Sequence, residues 1–93
     1  MRRLRWSRAA ADDLEGIANY LWLHYPSFAN YTIQRLYDAT KSLRNFPYAG
    51  RAGSKSGTRE LVLAPLPYLM IYAVDDHSIH VLRILHSAQD RPS

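Results

Sequence analysis

The 93-residue chain carries 12 Lys and Arg against 8 Asp and Glu, and 47% of its residues are hydrophobic. This length fits one domain with a modest core, which we expect to span residues 1–93. The lack of Cys excludes a disulfide framework and a thiolate metal site. No apolar h-region follows the basic start, and charges interrupt every apolar run before the roughly 20 residues of a membrane span. We therefore expect a soluble, cytoplasmic protein without a membrane partner.

Arginine supplies most of the positive charge. Ten of the 12 basic residues are Arg, and the net charge is +4. Arg binds phosphate or carboxylate in bidentate geometry better than Lys does. The charge therefore fits contact with nucleic acid or with an acidic protein, and it fits ordinary surface charge equally well.

The N-terminal half predicts a short strand and two helices. Residues 3–6 form a candidate edge strand, and Ser7 is a candidate N-cap. Apolar residues at helical spacing predict the first helix, which ends at Pro26: Leu14, Ile17, Ala18, Leu21 and Tyr25. A second set, after a predicted Ser27 cap, predicts another helix before Pro47: Ala29, Ile33, Leu36, Thr40 and Leu43. The turn between the two predicted helices is very short, at Pro26 and Ser27, and this predicts an antiparallel helical hairpin.

The C-terminal half predicts a Gly- and Ser-rich loop at 47–57 and then three strands, at 58–64, 68–74 and 79–86. Short links between these strands indicate antiparallel pairing. The predicted fold is α+β: an N-terminal short strand and a helical hairpin packed on one face of an antiparallel sheet of about four strands.

The last strand carries Arg83 among apolar residues. Side chains alternate between the two faces of a strand. If Leu82 and Ile84 pack on the helices, Arg83 projects from the uncovered face and His86 starts on the helix-packed side. If the strands of Arg59 and Arg83 are neighbours, the two guanidinium groups form a basic patch that can bind phosphate. The alternative is a cross-strand ion pair between Arg83 and Glu60.

The spacing of the histidines predicts no metal site, but one histidine, His86, could act in catalysis. His24, His77, His80 and His86 lack a ligand pattern. His86 has the residue type for proton transfer near neutral pH, and with nearby arginines it could serve in phosphodiester cleavage. A histidine that only hydrogen-bonds the backbone fits the same position. The acidic residues 12, 13 and 15 are typical of a helix start.

Several segments in order resemble the RelE/ParE toxin superfamily. These are SRAAADDLEGIANY at 7–20, PYAGR at 47–51, GTREL at 57–61, PY at 67–68, IYAV at 71–74 and LRILH at 82–86. The resemblance extends over residues 6–90. It implies a growth-inhibiting toxin of a bacterial type II toxin–antitoxin module, of the kind that includes plasmid-stabilisation toxins. It also implies an antitoxin partner, often acidic, in a hetero-oligomer, with no cofactor and no metal.

Two activities occur in this superfamily. ParE-like members inhibit DNA gyrase, whereas RelE-like members cleave mRNA in the ribosome. The resemblance favours the ParE-like activity slightly, and a non-toxic module that only binds an antitoxin stays open as well. A RelE-like nuclease would use Arg59 and Arg83 as cations and His86 as acid or base. The candidate binding residues are Arg51, Lys55, Arg59, Arg83 and Gln89.

Overall fold

A computed structural model describes residues 2–86 of the chain. The elements in order are β1 (Arg3–Trp6), α1 (Arg8–His24), α2 (Pro26–Ser42), β2 (Arg51–Ala52), β3 (Arg59–Val62), β4 (Tyr68–Val74) and β5 (Ser78–His86). The strands form one sheet in the order β1-β5-β4-β3-β2. The predicted α+β fold with its helical hairpin is confirmed. Two details differ: β1 pairs parallel with β5, and the short β2 lies inside the predicted loop.

Ser7 joins the start of α1 to the sheet. Its Oγ accepts a hydrogen bond from the N–H of Ala10 at 2.9 Å, which confirms the predicted N-cap. The same hydroxyl donates to the carbonyl of Leu82 at 2.9 Å, and the Ser7 N–H donates to the Val81 carbonyl at 2.9 Å. One residue therefore fixes both the first turn of α1 and its distance from β5.

The second helix begins earlier than predicted. Tyr25 ends α1 and precedes α2, whose first residue is Pro26, so the predicted Ser27 cap was wrong. Proline suits the first helical position because its φ is already helical and an N–H there would have no partner in the helix. The predicted stripe of α2 is buried at Ala29, Leu36 and Thr40. In α1 only Leu21 of the predicted stripe is buried, and Tyr25 is 53% exposed, so its place in that stripe was wrong.

The core lies between the helical hairpin and one face of the sheet. Its fully buried members include Leu36 and Leu43 from the second helical segment and Tyr72 from β4. The Tyr72 hydroxyl accepts a 2.8 Å hydrogen bond from the buried N–H of Gly50. A Cβ at Gly50 would lie 2.7 Å from the Glu60 carbonyl oxygen and 2.9 Å from the Tyr72 ring, so this close approach requires glycine.

A β-bulge in β5 shifts the predicted alternation of its side chains. Ile71 of β4 lies opposite Arg83, but the next residue, Tyr72, lies opposite Val81, so Leu82 is the extra residue. Ile79 and Val81 are therefore buried in the core before the bulge, and Ile84 is buried after it. The expectation that Leu82 shares the helix-packed face while Val81 does not was wrong, because it assumed an uninterrupted strand.

We expect Ser7→Ala to lower the free energy of unfolding by about 1–2 kcal/mol, because it removes the α1 cap and leaves the Leu82 carbonyl without its partner. Ser42→Ala is the matched control, since the exposed Ser42 hydroxyl only donates to the Ala39 carbonyl in its own helix. Urea denaturation of both variants measures the difference. Equal losses would show that neither the α1 cap nor the contact with β5 contributes measurably to stability.

The β4–β5 turn is organised by one carboxylate. Asp75 Oδ1 accepts hydrogen bonds from the N–H groups of His77 and Ser78 at 2.8 and 2.7 Å, and its Oδ2 lies 2.9 Å from His80 Nε2. The hydrogen bond with His80, followed by those two backbone groups, lowers the pKa of Asp75 from 3.8 to about 2. The folded chain therefore favours the ionised carboxylate at this turn.

This shift makes the turn sensitive to acid. A carboxylate with a lowered folded pKa stabilises the fold above its unfolded pKa and loses that effect as the pH falls through the folded value. The difference in unfolding free energy between the wild type and Asp75→Asn should therefore shrink from pH 4 toward pH 2. Denaturation at several pH values measures it. The control is Asp76→Asn, which should show no such convergence because the exposed Asp76 side chain does not bond the turn.

Candidate functional site

A groove of about 780 Å³ separates the helical hairpin from the C-terminal end of β5. We call it the hairpin groove. Asp13 and Tyr20 of α1 and Phe28 of α2 form one wall, while Tyr68 and residues 83–86 form the other. Aromatic rings at its mouth are exposed, with 53% of Tyr20 and 63% of Phe28 accessible. The groove therefore offers a mixed aromatic and charged surface to a partner.

Asp13 holds Arg83 in a two-pronged ion pair on the wall of this groove. Arg83 Nε donates to Asp13 Oδ2 at 2.7 Å, and Nη2 donates to Oδ1 at 3.0 Å. The hydrogen bond and then the charge of Asp13 raise the pKa of Arg83 above its ordinary value. Asp13 Oδ2 also accepts the backbone N–H of Ile84 at 2.9 Å. The guanidinium is thus a fixed cation with one side open to solvent.

One of the two alternatives from the sequence paired Arg83 with Glu60 instead. Glu60 lies 3.3 Å from Arg51 in an ion pair across β2 and β3, so the Arg83–Glu60 alternative was wrong. Arg83 reaches α1 because β1 ends at Trp6 and leaves this part of the β5 edge to the helix. The side chain remains 48% exposed, whereas that of Asp13 is 17% exposed. The pair is therefore a partly buried link between helix and sheet.

His86, the last residue of β5, lines the groove and lies against an aromatic ring. It pairs with Tyr68 of β4, and the two rings meet edge to face with centroids 5.7 Å apart. Burial, and to a lesser extent the proximity of Tyr20, raises the pKa of Tyr68. Arg83 and His86 both line the same groove, so the structure brings these two candidate residues to one surface.

Arg59 lies elsewhere. Its Nη1 donates to the Gly50 carbonyl at 2.7 Å, and its guanidinium carbon lies 4.9 Å from the centre of the Tyr48 ring. Strand β4 separates β3 from β5, so the premise that the strands of Arg59 and Arg83 are neighbours was wrong. Arg59 lies opposite Tyr72 and Arg83 opposite Ile71, and adjacent residues of one strand face opposite sides. The predicted Arg59–Arg83 patch does not form.

Distance separates Arg59 from His86 as well. Arg59 is opposite Tyr72, whereas His86 is opposite Tyr68, four positions along β4. At about 3.3 Å per residue and 4.8 Å per strand, their Cα atoms are about 16 Å apart. The Arg59 guanidinium is also held at the Gly50 carbonyl, and Arg59 does not line the groove that contains His86.

Two further candidate binding residues, Arg51 and Lys55, do not line the groove. Arg51 is paired with Glu60, and Lys55 is exposed in the loop before β3. Gln89 lies outside the described residues. Within residues 2–86, no group of three or more His, Asp or Glu side chains could hold a metal ion. No helix in that range has the length and apolarity to cross a membrane.

Asp13 is the main site residue that sequence reasoning missed. Its place early in α1 indicated only a favourable interaction with the helix dipole. A sharper signal was available, because Asp13 lies three residues after Ala10 and four before Ile17, both of which face the sheet. A carboxylate on the buried stripe of a helix requires a partner, and a strand arginine is a suitable one.

Comparison with known proteins places the chain in a family. The family model described as ParE toxin of type II toxin-antitoxin system, parDE, matches residues 4–91. The chain belongs to the ParE toxin family. The protein named Toxin RelE2 of Caulobacter vibrioides is 36% identical over 89 residues, which cover 96% of this chain and 99% of that protein.

Solved structures support the same assignment. A chain of the chromosomal ParDE TA system from P. aeruginosa superposes with a TM-score of 0.82 at 30% identity, covering 92% of this chain and 96% of that one. A chain of the E. coli DinJ-YafQ complex has a TM-score of 0.68 at 17% identity, with 95% and 96% covered. The second likeness concerns the fold alone. The predicted type II toxin family and its RelE/ParE-like fold are confirmed.

We expect Asp13→Ala to destabilise the chain by about 1–3 kcal/mol, because it leaves the Ile84 N–H without a partner and Arg83 without its counter-charge. The control is Asp12→Ala, one position away on α1, where the exposed carboxylate makes no such bonds. Chemical denaturation measures both. A loss at Asp12 equal to that at Asp13 would mean that only the helix dipole is affected.

Proposed function

We propose that this chain is a growth-inhibiting toxin that acts on DNA gyrase and is neutralised by a cognate antitoxin. The match of the ParE family model to residues 4–91 supports the gyrase-directed activity. The related P. aeruginosa structure is that of a chromosomal ParDE toxin–antitoxin system. The exposed aromatic rim of the hairpin groove suits a protein partner, because large exposed apolar surfaces mark interaction sites.

The separation of Arg59 from Arg83 and His86, the other two nuclease candidates, carries the choice of target. Cleavage by a 2′-hydroxyl needs a base, an acid and cations around one phosphate, and an acid or base must reach within about 3 Å of its proton. Arg59 is held at the Gly50 carbonyl, about 16 Å from His86 by strand geometry. Arg83 is bound to Asp13 through two hydrogen bonds. This arrangement favours inhibition by binding over catalysis.

Ribosome-dependent mRNA cleavage is the second candidate, and one observation favours it. The hairpin groove brings Arg83, His86 and Tyr68 to one surface, which supplies a cation and two groups able to carry protons. A relative of 36% identity also carries the name Toxin RelE2. A nuclease built on this groove would work without Arg59.

A purified supercoiling assay tests the proposal. We expect the chain to inhibit supercoiling by gyrase and to leave mRNA on programmed ribosomes intact. His86→Gln should retain gyrase inhibition within about threefold, because the proposed mode has no proton transfer. Loss of a catalytic acid or base, by contrast, typically lowers a rate by about 10²–10⁴-fold.

Two outcomes contradict the proposal. Cleavage of mRNA that His86→Gln abolishes, at an unchanged thermal midpoint and without gyrase inhibition, establishes the nuclease. Normal growth of a bacterium that expresses the chain alone in folded form shows a module that only binds its antitoxin. Co-expression of the protein encoded beside the gene should otherwise restore growth.

A further inference from the structure

We propose that two copies of the free chain associate through the end of the helical hairpin, where α1 turns into α2. We call this end the hairpin tip and define it as residues 20–31, the last turn of α1 and the first turns of α2. The inference concerns the free chain and goes beyond the proposed function, because it holds for either target.

The hairpin tip carries most of the exposed large apolar side chains in the described part of the chain. Within residues 2–86 ten large hydrophobic residues are exposed, and six of them lie in the tip: Tyr20, Trp22, Leu23, Tyr25, Phe28 and Tyr31. Leu23 is 76% exposed and lies two residues from the buried Leu21. Two residues turn an α-helix by about 200°, so Leu23 points away from the core. Contiguous apolar surface of this kind marks an interaction site, whereas single exposed residues do not.

The side chains of the tip form one patch. The Tyr20 ring lies 4.5 Å from that of His24 and 6.1 Å from that of Tyr25, measured between centroids. Phe28 and Tyr31 are three residues apart on α2 and are therefore neighbours on its surface. At about 1.5 Å per residue, the part of each helix within the tip is less than about 10 Å long. The exposed rings thus lie together at one end of the hairpin.

The tip has no charged side chain, although the chain as a whole is cationic. Residues 16–34 include no Asp, Glu, Lys or Arg, and the net charge is +4. The bordering Arg35 lies against the Tyr31 ring, with its guanidinium carbon 5.8 Å from the ring centre. Two cationic copies repel each other where their charges approach, and the tip lets them meet without such an approach. An acidic segment would find no opposite charge within the tip, so the composition favours a second copy.

The area of the tip is sufficient for a dimer. A fully accessible aromatic side chain presents about 150–250 Å², so the exposed parts of the six apolar residues amount to about 600 Å² per copy. Two such surfaces bury about 1,200 Å², which is the lower end of the range for specific protein interfaces. We therefore expect a dimer of about micromolar affinity.

A two-fold axis gives this interface a definite form. Identical patches that pair about such an axis use each residue twice, once from each copy. Hairpin against hairpin brings four helix ends around one apolar centre, as in a helical bundle. Tyr20, Tyr25 and Phe28 of the tip also line the hairpin groove. The dimer therefore covers the mouth of that groove, and a ligand of the groove competes with the second copy.

Sedimentation velocity of the full chain, purified without its antitoxin, tests the proposal. We expect Leu23→Glu to raise the dissociation constant of the dimer by about 100-fold or more, because each copy places a carboxylate in the apolar interface. The control is Phe46→Glu, which makes the same charge change at an exposed apolar residue after α2. It should raise that constant by less than about threefold. Circular dichroism checks that both variants are folded.

The response to salt distinguishes an apolar contact from an ionic one. Raising NaCl from about 0.1 to about 0.5 M screens ion pairs and also the repulsion between cationic copies. We expect the dissociation constant of the dimer to stay the same or fall. A constant that rises with salt would show an ion-paired interface and contradict the proposal.

Cross-linking reports on the tip even if Leu23→Glu does not fold. The chain has no Cys, so a single introduced thiol is the only reactive one. A short bismaleimide reagent should join two copies of Leu23→Cys in dilute solution and should not join two copies of Phe46→Cys.

Three results overturn the proposal. The first is a wild-type chain that stays monomeric up to about 100 μM. The second is equal weakening of the dimer by Leu23→Glu and Phe46→Glu, which places the contact elsewhere. The third is a monomeric wild type whose Leu23→Glu variant loses gyrase inhibition or antitoxin binding, which assigns the tip to that partner. Gyrase inhibition by the wild type is measured separately, so each of these results leaves the proposed function to its own assay.

Discussion

The edge of β5 beyond β1 is the constraint on which the site depends. β1 has four residues and β5 has nine. The last residue of β1 lies opposite Val81, so the backbone groups of β5 that follow have no strand partner on this side. Unpaired backbone groups at a partly buried edge cost about 1–3 kcal/mol each. Side chains supply the missing partners: the Ser7 hydroxyl bonds the Leu82 carbonyl, and the Asp13 carboxylate bonds the Ile84 N–H. The first two turns of α1 must therefore lie along this edge, and the hairpin groove opens beyond them.

The bulge at Leu82 makes that arrangement compatible with a continuous core. Without the extra residue, strict alternation from Ile79 and Val81 would turn Ile84 to the open face of the sheet. With it, Ile84 returns to the core while Arg83 lies beside the exposed edge and within reach of Asp13. Bulges re-aim side chains in this way next to functional surfaces. Packing and charge placement in β5 thus have a single cause.

Local patterns in the sequence were sufficient to predict most helices and strands, but not to predict which side chains contact each other between them. The helical stripes, the Ser7 cap and the β4 range of 68–74 follow from spacing and turn chemistry within a few residues. The contacts of Arg83 do not, because they depend on the register of β5 against β4 and on the length of β1, which are properties of distant segments. The same reason explains the failed Arg59–Arg83 patch. Face alternation holds within a strand, but one extra residue reverses it, and no local signal at Leu82 indicates a bulge.

The arginines divide into those that bond other parts of the fold and those exposed on β1. Arg51, Arg59 and Arg83 are engaged with Glu60, the Gly50 carbonyl and Asp13. Arg3 and Arg5 lie on the strand beside the first half of β5, whereas the groove begins at its second half, at Arg83. Since Val81 and Arg83 are about 7 Å apart along the strand, the two surfaces lie near each other at one edge of the sheet. They face opposite ways, because the β1 arginines lie on the face that the helices leave open, whereas the groove lies between the helices and β5.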